Sequence, residues 1–473
     1  MPDQRLTKRG GLMLVAIGSI VLSQLVCARQ IPVTLLHTAN LSGQLDANPE
    51  TLEGGLYRCA ELIGYAPKNA RNSVLLDSGD FFAGSVLSDS GDGELILAAI
   101  RELKYDAIAP SSTDLAWGQR QLMEMPLVAA NLAGFKPVVP VRMLRVDGIQ
   151  IAIIGLTHPG LREKFPEEMM PGVSVSPTER VLRAVITSLR ERSPEIIVLL
   201  ANLGLADKGV AFGVKEIMQA FPEIDVVIGG QTGRKVVDVT YGGGLYTQAP
   251  RRGIGLGQVD LIWDTVQRKI ISREAKVWRA GKNFLPNGAL MRAVRDAEAK
   301  SNALAEMELA CSFESLGKHL VKSLSVDVVL LEEVVSSRFP SENQTLGSLL
   351  EWVGGNRAWY TVSLAGSELR DILDAARESG WVGKREGMVY GVHVDGDTGR
   401  LRYQGKPLNA RKRLRIGLPH TWFVEVPAPL ASTQYILSQP ISQRTLTDRT
   451  LHGILRALPG EKGASVPDSD EKK

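Results

Sequence analysis

Side chains suited to acid, base, nucleophilic or transition-metal chemistry are scattered along this chain. Its six histidines, His37, His158, His319, His393, His420 and His452, form no local cluster. Three cysteines, Cys27, Cys59 and Cys311, are too few for a cysteine zinc site or a disulfide framework. No Ser-His or Cys-His motif for nucleophilic attack is visible. What recurs is a set of oxygen-bearing turns, each close behind a short apolar run: Asn40-Leu-Ser42-Gly43, Ser78-Gly79-Asp80, Ser111-Ser112-Thr113-Asp114, Asn202-Leu-Gly204 and Gly229-Gly230-Gln231-Thr232-Gly233. Such oxygens suit a hard cation such as Mg²⁺ or Ca²⁺, or hydrogen bonds among themselves.

Short apolar runs recur at Val33–His37, Val74–Asp77, Ile151–Gly155, Ile196–Leu200 and Val226–Ile228, and four of the five turns follow one of them. Each run is rich in β-branched or aliphatic residues and closed by Gly, Ser, Asn or Asp, the pattern of a buried strand with function on its terminal turn. They alternate with helix-like stretches, so residues 30–282 are expected to form an α/β domain. Residues 283–311 are rich in helix formers, with Asn287 as a candidate N-cap, and predict one long connecting helix. Residues 312–458 mix helix and strand signals around Gly-rich turns such as Tyr403-Gln-Gly405, predicting a second, smaller α/β domain. Residues 459–473 lack apolar content and read as a disordered tail.

At 473 residues, 44% apolar and 23% charged, the chain can bury two large cores. A net charge of +3, with no basic stripe interleaved with aromatics, excludes an evident nucleic-acid footprint. Arg5, Lys8 and Arg9 precede the apolar run 11–26, and Val26-Cys27-Ala28 has the small residues of a cleavage site. Residues 1–28 therefore read as a signal peptide cleaved after Ala28, or else as an uncleaved membrane anchor. Either reading predicts export, to a periplasmic or extracellular location.

The turns also carry a resemblance. Leu36-His37-Thr-Ala-Asn40-Leu-Ser42-Gly43 resembles the "LHTNDLHG" motif of the 5′-nucleotidase family of calcineurin-like metallophosphoesterases, and Leu76-Asp-Ser-Gly79-Asp80-Phe-Phe-Ala-Gly84-Ser85 resembles its "LDAGDxxxGS". Ser111-Ser112-Thr113-Asp114 stands where the family has "GNHE", Leu200-Ala-Asn202-Leu-Gly204 where it has "LSHLG", and Ile228-Gly-Gly-Gln231-Thr-Gly233 where it has "IGGHTH". The resemblance implies a four-layer α-β-β-α sandwich followed by a substrate-specificity domain. It also implies that Asn40, Ser42, Asp80, Asn202, Gln231 and Gly233 stand at former metal-ligand positions, and Ser112, Thr113 and Asp114 in the former catalytic turn. Only Asp80 keeps the family's ligand type. A dinuclear transition-metal site needs imidazole and carboxylate to hold its ions and acidify a bridging water. Amide, hydroxyl and glycine substitutes therefore predict no metal cofactor. The alternative is a single Mg²⁺ or Ca²⁺ among Asn40, Ser42, Asp80, Asp114, Asn202 and Gln231, and Asp80 itself is expected to order its turn by accepting backbone N–H bonds.

In the second domain, Val362-Ser-Leu-Ala-Gly366-Ser-Glu-Leu369 resembles the family's "V.LTG.EL" signature and Gly405-Lys-Pro-Leu408 its "G.PLD" turn. Asn356 fits an Asn-bearing substrate loop, but the segment ending at Arg338 has lost the family's "N.GG.R" run, and Trp422-Phe423 is the one candidate stacking pair. The combined expectation is an exported, catalytically inactive homologue acting as a binding or scaffold protein. Its partner would be a protein or small molecule outside the cytoplasm, with membrane contact only through an N-terminal anchor. The alternative is a divergent phosphoesterase using a hard cation.

Overall fold

The computed structural model describes residues 29–69, 72–82, 84–91, 93–116, 122–161, 170, 172–205, 210–309, 313–330, 344–352, 358–378, 389–394, 400–419 and 444–450. The expectations for residues 1–28 and 459–473, for Cys311, Arg338 and Asn356, and for Trp422-Phe423 lie outside them.

Each of the five apolar runs forms a strand. In chain order the first domain contains β1 (Gln30–Thr38), α1 (Leu56–Asn69), β2 (Ser73–Asp77), α2 (Val86–Ser90), α3 (Glu94–Leu103), β3 (Ala107–Ile108), α4 (Ser112–Ala116) and β4 (Leu132–Ala133). There follow β5 (Val141–Val146), β6 (Ile149–Leu156), β7 (Ser174–Val175), α5 (Thr178–Arg192), β8 (Ile196–Ala201), α6 (Val214–Ala220), β9 (Val226–Ile228), β10 (Val236–Tyr241), β11 (Gly244–Gln248), β12 (Gly255–Asp264) and β13 (Lys269–Arg279). Two sheets result, one ordered β13-β12-β1-β2-β3 and the other β10-β11-β9-β8-β6-β5.

Strand periodicity explains the layering. Ile31, Val33 and Leu35 of β1 pack against Ile151, Ile153, Val198 and Leu200 of the facing sheet, while Leu36, one step out of phase, meets the α1 and α3 side. The second sheet's outer residues, Ile154, Leu199 and Val227 among them, are covered by α5 and α6. Strands buried on both faces read as unbroken apolar runs, and the order is helix, sheet, sheet, helix. Strands β1, β2 and β3 run parallel, as do β6, β8, β9 and β11. The turns that follow parallel strands leave from the same edge of each sheet.

The connecting helix α7 spans Gly288–Ala305, and Asn287 caps it by accepting the Leu290 N–H at 2.9 Å. It is shorter than the 283–311 expected from sequence. Pro286 and the Asn287 cap fix its start, and beyond its end β14 (Glu308–Leu309) pairs with β16 (Gln344–Thr345).

The elements beyond are α8 (Phe313–Leu324), β15 (Val328–Leu330), β16, α9 (Leu346–Trp352), β17 (Ala358–Ala365), α10 (Gly366–Glu378), β18 (Val389–Tyr390), β19 (Val392–Val394), β20 (Leu401–Tyr403), β21 (Lys406–Pro407), β22 (Arg413–Pro419) and β23 (Arg444–Thr450). A sheet ordered β18-β15-β22-β17-β23 shares a separate core of Val328, Leu330, Val362, Leu364, Leu414 and Ile416 with Leu369, Ile372 and Leu373 of α10. The two parts touch where α9 packs on α2 and α7.

Candidate functional site

The oxygen-bearing turns meet at one sheet edge. Backbone bonds lock the first two together: Asn40 N–H donates to Gly79 O at 2.9 Å and Ser42 N–H to Asp80 O at 2.9 Å. Arg252 N–H ties the β11–β12 loop to Asn40 O at 2.8 Å. Gly79 (φ +92°) brings the third turn close, since a Cβ there would lie 2.7 Å from Ser111 N. Four side-chain-bearing residues hold left-handed backbone at these turns: Asn40 (φ 50°), Ser42 (φ 51°), Asp80 (φ 63°) and Gln231 (φ 65°). Asn and Asp tolerate that region better than Ser and Gln, so part of this edge is strained to shape the turn.

Asp80 is the hub. Its Oδ1 accepts the Thr113 hydroxyl at 2.8 Å and its Oδ2 the Asn40 amide at 3.0 Å, while the single Ser42 hydroxyl hydrogen is shared between Asn40 O at 3.3 Å and Asp80 Oδ2 at 3.4 Å. The backbone-ordering role expected of Asp80 falls instead to Asp114. The fully buried Asp114 carboxylate accepts the N–H groups of Asp80 (2.6 Å), Phe81 (3.0 Å), Phe82 (3.3 Å) and Ser111 (2.9 Å), and the Ser111 hydroxyl (2.8 Å). Sitting in the first turn of α4, it can reach the amides of both adjoining turns, which Asp80 on its own left-handed turn cannot. Burial raises the Asp114 carboxyl above its ordinary range, the Asp80 charge adds to this, and the hydrogen bonds oppose it.

The remaining positions turn away from the hub. Asn202 donates its amide to Ser78 O at 2.8 Å, and the Ser78 hydroxyl donates to Gly229 O at 2.7 Å. Gln231 is exposed, and its contact with the hub is its backbone carbonyl, which receives the Asn40 amide at 3.5 Å. Ser112 is buried at the start of α4. At Gly233 (φ +63°) the Arg251 side chain fills the adjoining space, with a Cβ there falling 3.0 Å from Arg251 Cδ.

Two features escaped the sequence reading. Arg251 was one basic residue among many until folding laid it on Gly233. Beneath the hub, Thr38 Oγ1 bonds Asp77 Oδ2 at 2.5 Å and Tyr105 Oη at 2.9 Å, and Asp77 Oδ1 accepts Gly79 N–H at 2.7 Å. Burial pushes the Asp77 carboxyl up to about 8 and, with Asp77 nearby, the buried Cys59 thiol up to about 12. The only available signal was two polar residues inside otherwise apolar strand runs. His37 lies in the core against Gly257, with burial lowering its imidazole to about 3, so it is a neutral packing group.

This donor set does not fit a dinuclear transition-metal centre. Among the described residues no three His, Cys, Asp or Glu side chains gather at ion-binding distance. Hydrogens, rather than lone pairs, point at Asp80 from Thr113 and Asn40.

No family model matches the chain. It is 24% identical over 338 residues to the 2′,3′-cyclic-nucleotide 2′-phosphodiesterase/3′-nucleotidase of Salmonella typhimurium, covering 62% of this chain and 50% of that protein. It is 30% identical over 197 residues to the uncharacterized metallophosphoesterase YunD of Bacillus subtilis, covering 39% of this chain and 40% of that protein. The match therefore spans half or less of these curated relatives. Among solved structures, the 5′-nucleotidase precursor of Thermus thermophilus superposes with a TM-score of 0.59 at 18% identity, over 90% of this chain and 95% of that one. A 5′-nucleotidase-like protein of Staphylococcus aureus gives 0.61 at 14% identity, over 86% and 97%. The α/β fold is that of two-domain 5′-nucleotidase structures over most of the chain.

Proposed function

We propose that this relative of the 5′-nucleotidases and calcineurin-like metallophosphoesterases is a non-catalytic binding or scaffold protein, acting outside the cytoplasm on a protein or small-molecule partner. The observation that carries the reading is the engagement of both carboxylates at the site by the protein's own donors. Asp80 takes the Thr113 hydroxyl and the Asn40 amide and shares the Ser42 hydroxyl, and Asp114 takes four backbone amides and a hydroxyl. A phosphoesterase centre of the metal type needs those lone pairs for cations that acidify water and clamp phosphoryl oxygens. Here the lone pairs hold the turns together, and Arg251 fills space beside Gly233 into which a ligand side chain would have to grow. Fold retention with loss of the ion-holding groups matches a protein whose surface, rather than its chemistry, is in use.

Hydrolysis of 5′-AMP, a 2′,3′-cyclic nucleotide and a model phosphate ester, each with Mn²⁺, Zn²⁺, Mg²⁺ or Ca²⁺ supplied, tests this. The expected rate is that of buffer, unchanged in Asp80→Ala. Turnover with Mg²⁺ or Ca²⁺ that vanishes in Asp80→Ala would replace the proposal with a hard-cation phosphoesterase.

A further inference from the structure

The outer face of the first sheet is left open beside α1, forming a cavity of about 770 Å³ between that helix and strands β1, β12 and β13. It sits at the start of β1, around Arg29 and Thr34, whereas Asn40 follows the strand's other end. Four strand steps, about 13 Å, run from Thr34 to Thr38, with Asn40 beyond them. Its volume is in the range of small-molecule sites.

The wall is a fixed polar lattice. Asp260 accepts Thr34 Oγ1 at 2.8 Å, the Gln258 amide at 2.8 Å to each oxygen, and Lys276 Nζ at 2.8 Å. Gln258 is oriented in turn by Trp278, whose Nε1–H donates to its Oε1 at 2.7 Å. Lys276 Nζ lies 5.4 Å above the Trp278 ring centroid. Across the cavity Tyr65 of α1 is 50% exposed, although a tyrosine ring gains from burial.

Charge and donor arithmetic select the ligand. The four charged groups on the wall cancel as two ion pairs, Arg29–Asp147 at 2.6 Å and Lys276–Asp260 at 2.8 Å. An ionic ligand would have to break one of them, whereas a neutral one leaves both intact. Capacity nevertheless remains. The Lys276 ammonium has hydrogens beyond the one on Asp260, and the Thr34 hydroxyl keeps acceptor lone pairs. Asn72 uses its Nδ2 on Pro32 O (3.2 Å) and Asp147 (3.4 Å), which leaves its carbonyl. Donors and acceptors side by side match hydroxyl groups, which are both, and the exposed Tyr65 ring matches an apolar C–H face. From these observations we propose that the cavity binds a neutral saccharide, its C–H face on Tyr65 and its hydroxyls on Lys276, Thr34 and Asn72, with Trp278 holding Gln258 and Lys276 in place.

The test is saturation-transfer NMR of the purified full chain with maltose, cellobiose and chitobiose, inorganic phosphate serving as the anionic control. At least one disaccharide is expected to bind with Kd about 1 mM or tighter. Tyr65→Ala, a change on an exposed helix face, should weaken it about tenfold, Trp278→Ala more, and Asp80→Ala not at all. Binding by none of the three disaccharides overturns the proposal. So does binding that survives both aromatic substitutions, that is lost in Asp80→Ala, or that phosphate displaces.

Discussion

At the level of single residues, the polar side chains of the converging turns serve as hydrogen-bond architecture. Asp114 has the larger structural share, because its removal strands four backbone amides in the interior. Asp114→Ala is expected to destabilise the protein by about 3 kcal/mol or more, whereas Asp80→Ala, at a half-buried position, should cost about 1 kcal/mol. Chemical denaturation of the two variants checks that order. Asp77 makes a separate prediction with a definite sign. Its folded carboxyl is raised to about 8 from 3.8, so between those values the folded state holds a proton that the unfolded state has released. Stability from this group is therefore greatest below about pH 4 and declines as pH rises toward 8. Asp77→Asn mimics the protonated acid and can still accept the Gly79 N–H. It should raise the melting temperature at pH 8 by more than at pH 5. Equal gains at both values would show that Asp77 ionises normally.

At the level of elements, strands β1, β2, β6, β8 and β9 were legible because burial on both faces leaves a continuous aliphatic run that little else explains. The Asn287 cap was legible because one side chain settles it. The end of α7 was not, since helix-forming composition continues to Ala310 while the pairing of Glu308–Leu309 with a segment about 35 residues away is a tertiary choice. Strand pairing also makes demands invisible in sequence. Gly257 of β12 lies opposite His37 of β1, and a Cβ there would run into the imidazole ring. Gly257→Ala should therefore cost about 1–3 kcal/mol, and His37→Ala in the same chain should recover part of it. A double-mutant cycle on unfolding free energies measures that coupling. The convergence of the five turns could be anticipated from the resemblance, but which partner each polar side chain would choose could not. Those choices depend on distances of a few tenths of an ångström between loops 33 to 191 residues apart.

For the whole molecule, two stacked sheets and a second domain keep the architecture of two-domain 5′-nucleotidase structures, while the edge where their turns meet is closed by its own hydrogen bonds. This edge is expected to hold no pair of transition-metal ions. Elemental analysis of the chain, after equilibration with Mn²⁺ and Zn²⁺ and removal of loosely bound ions, tests it directly. Less than about 0.1 equivalent of either metal per chain is predicted, because amide and hydroxyl donors hold these ions weakly. Two equivalents per chain, falling to one or none in Asp80→Ala, would contradict that expectation.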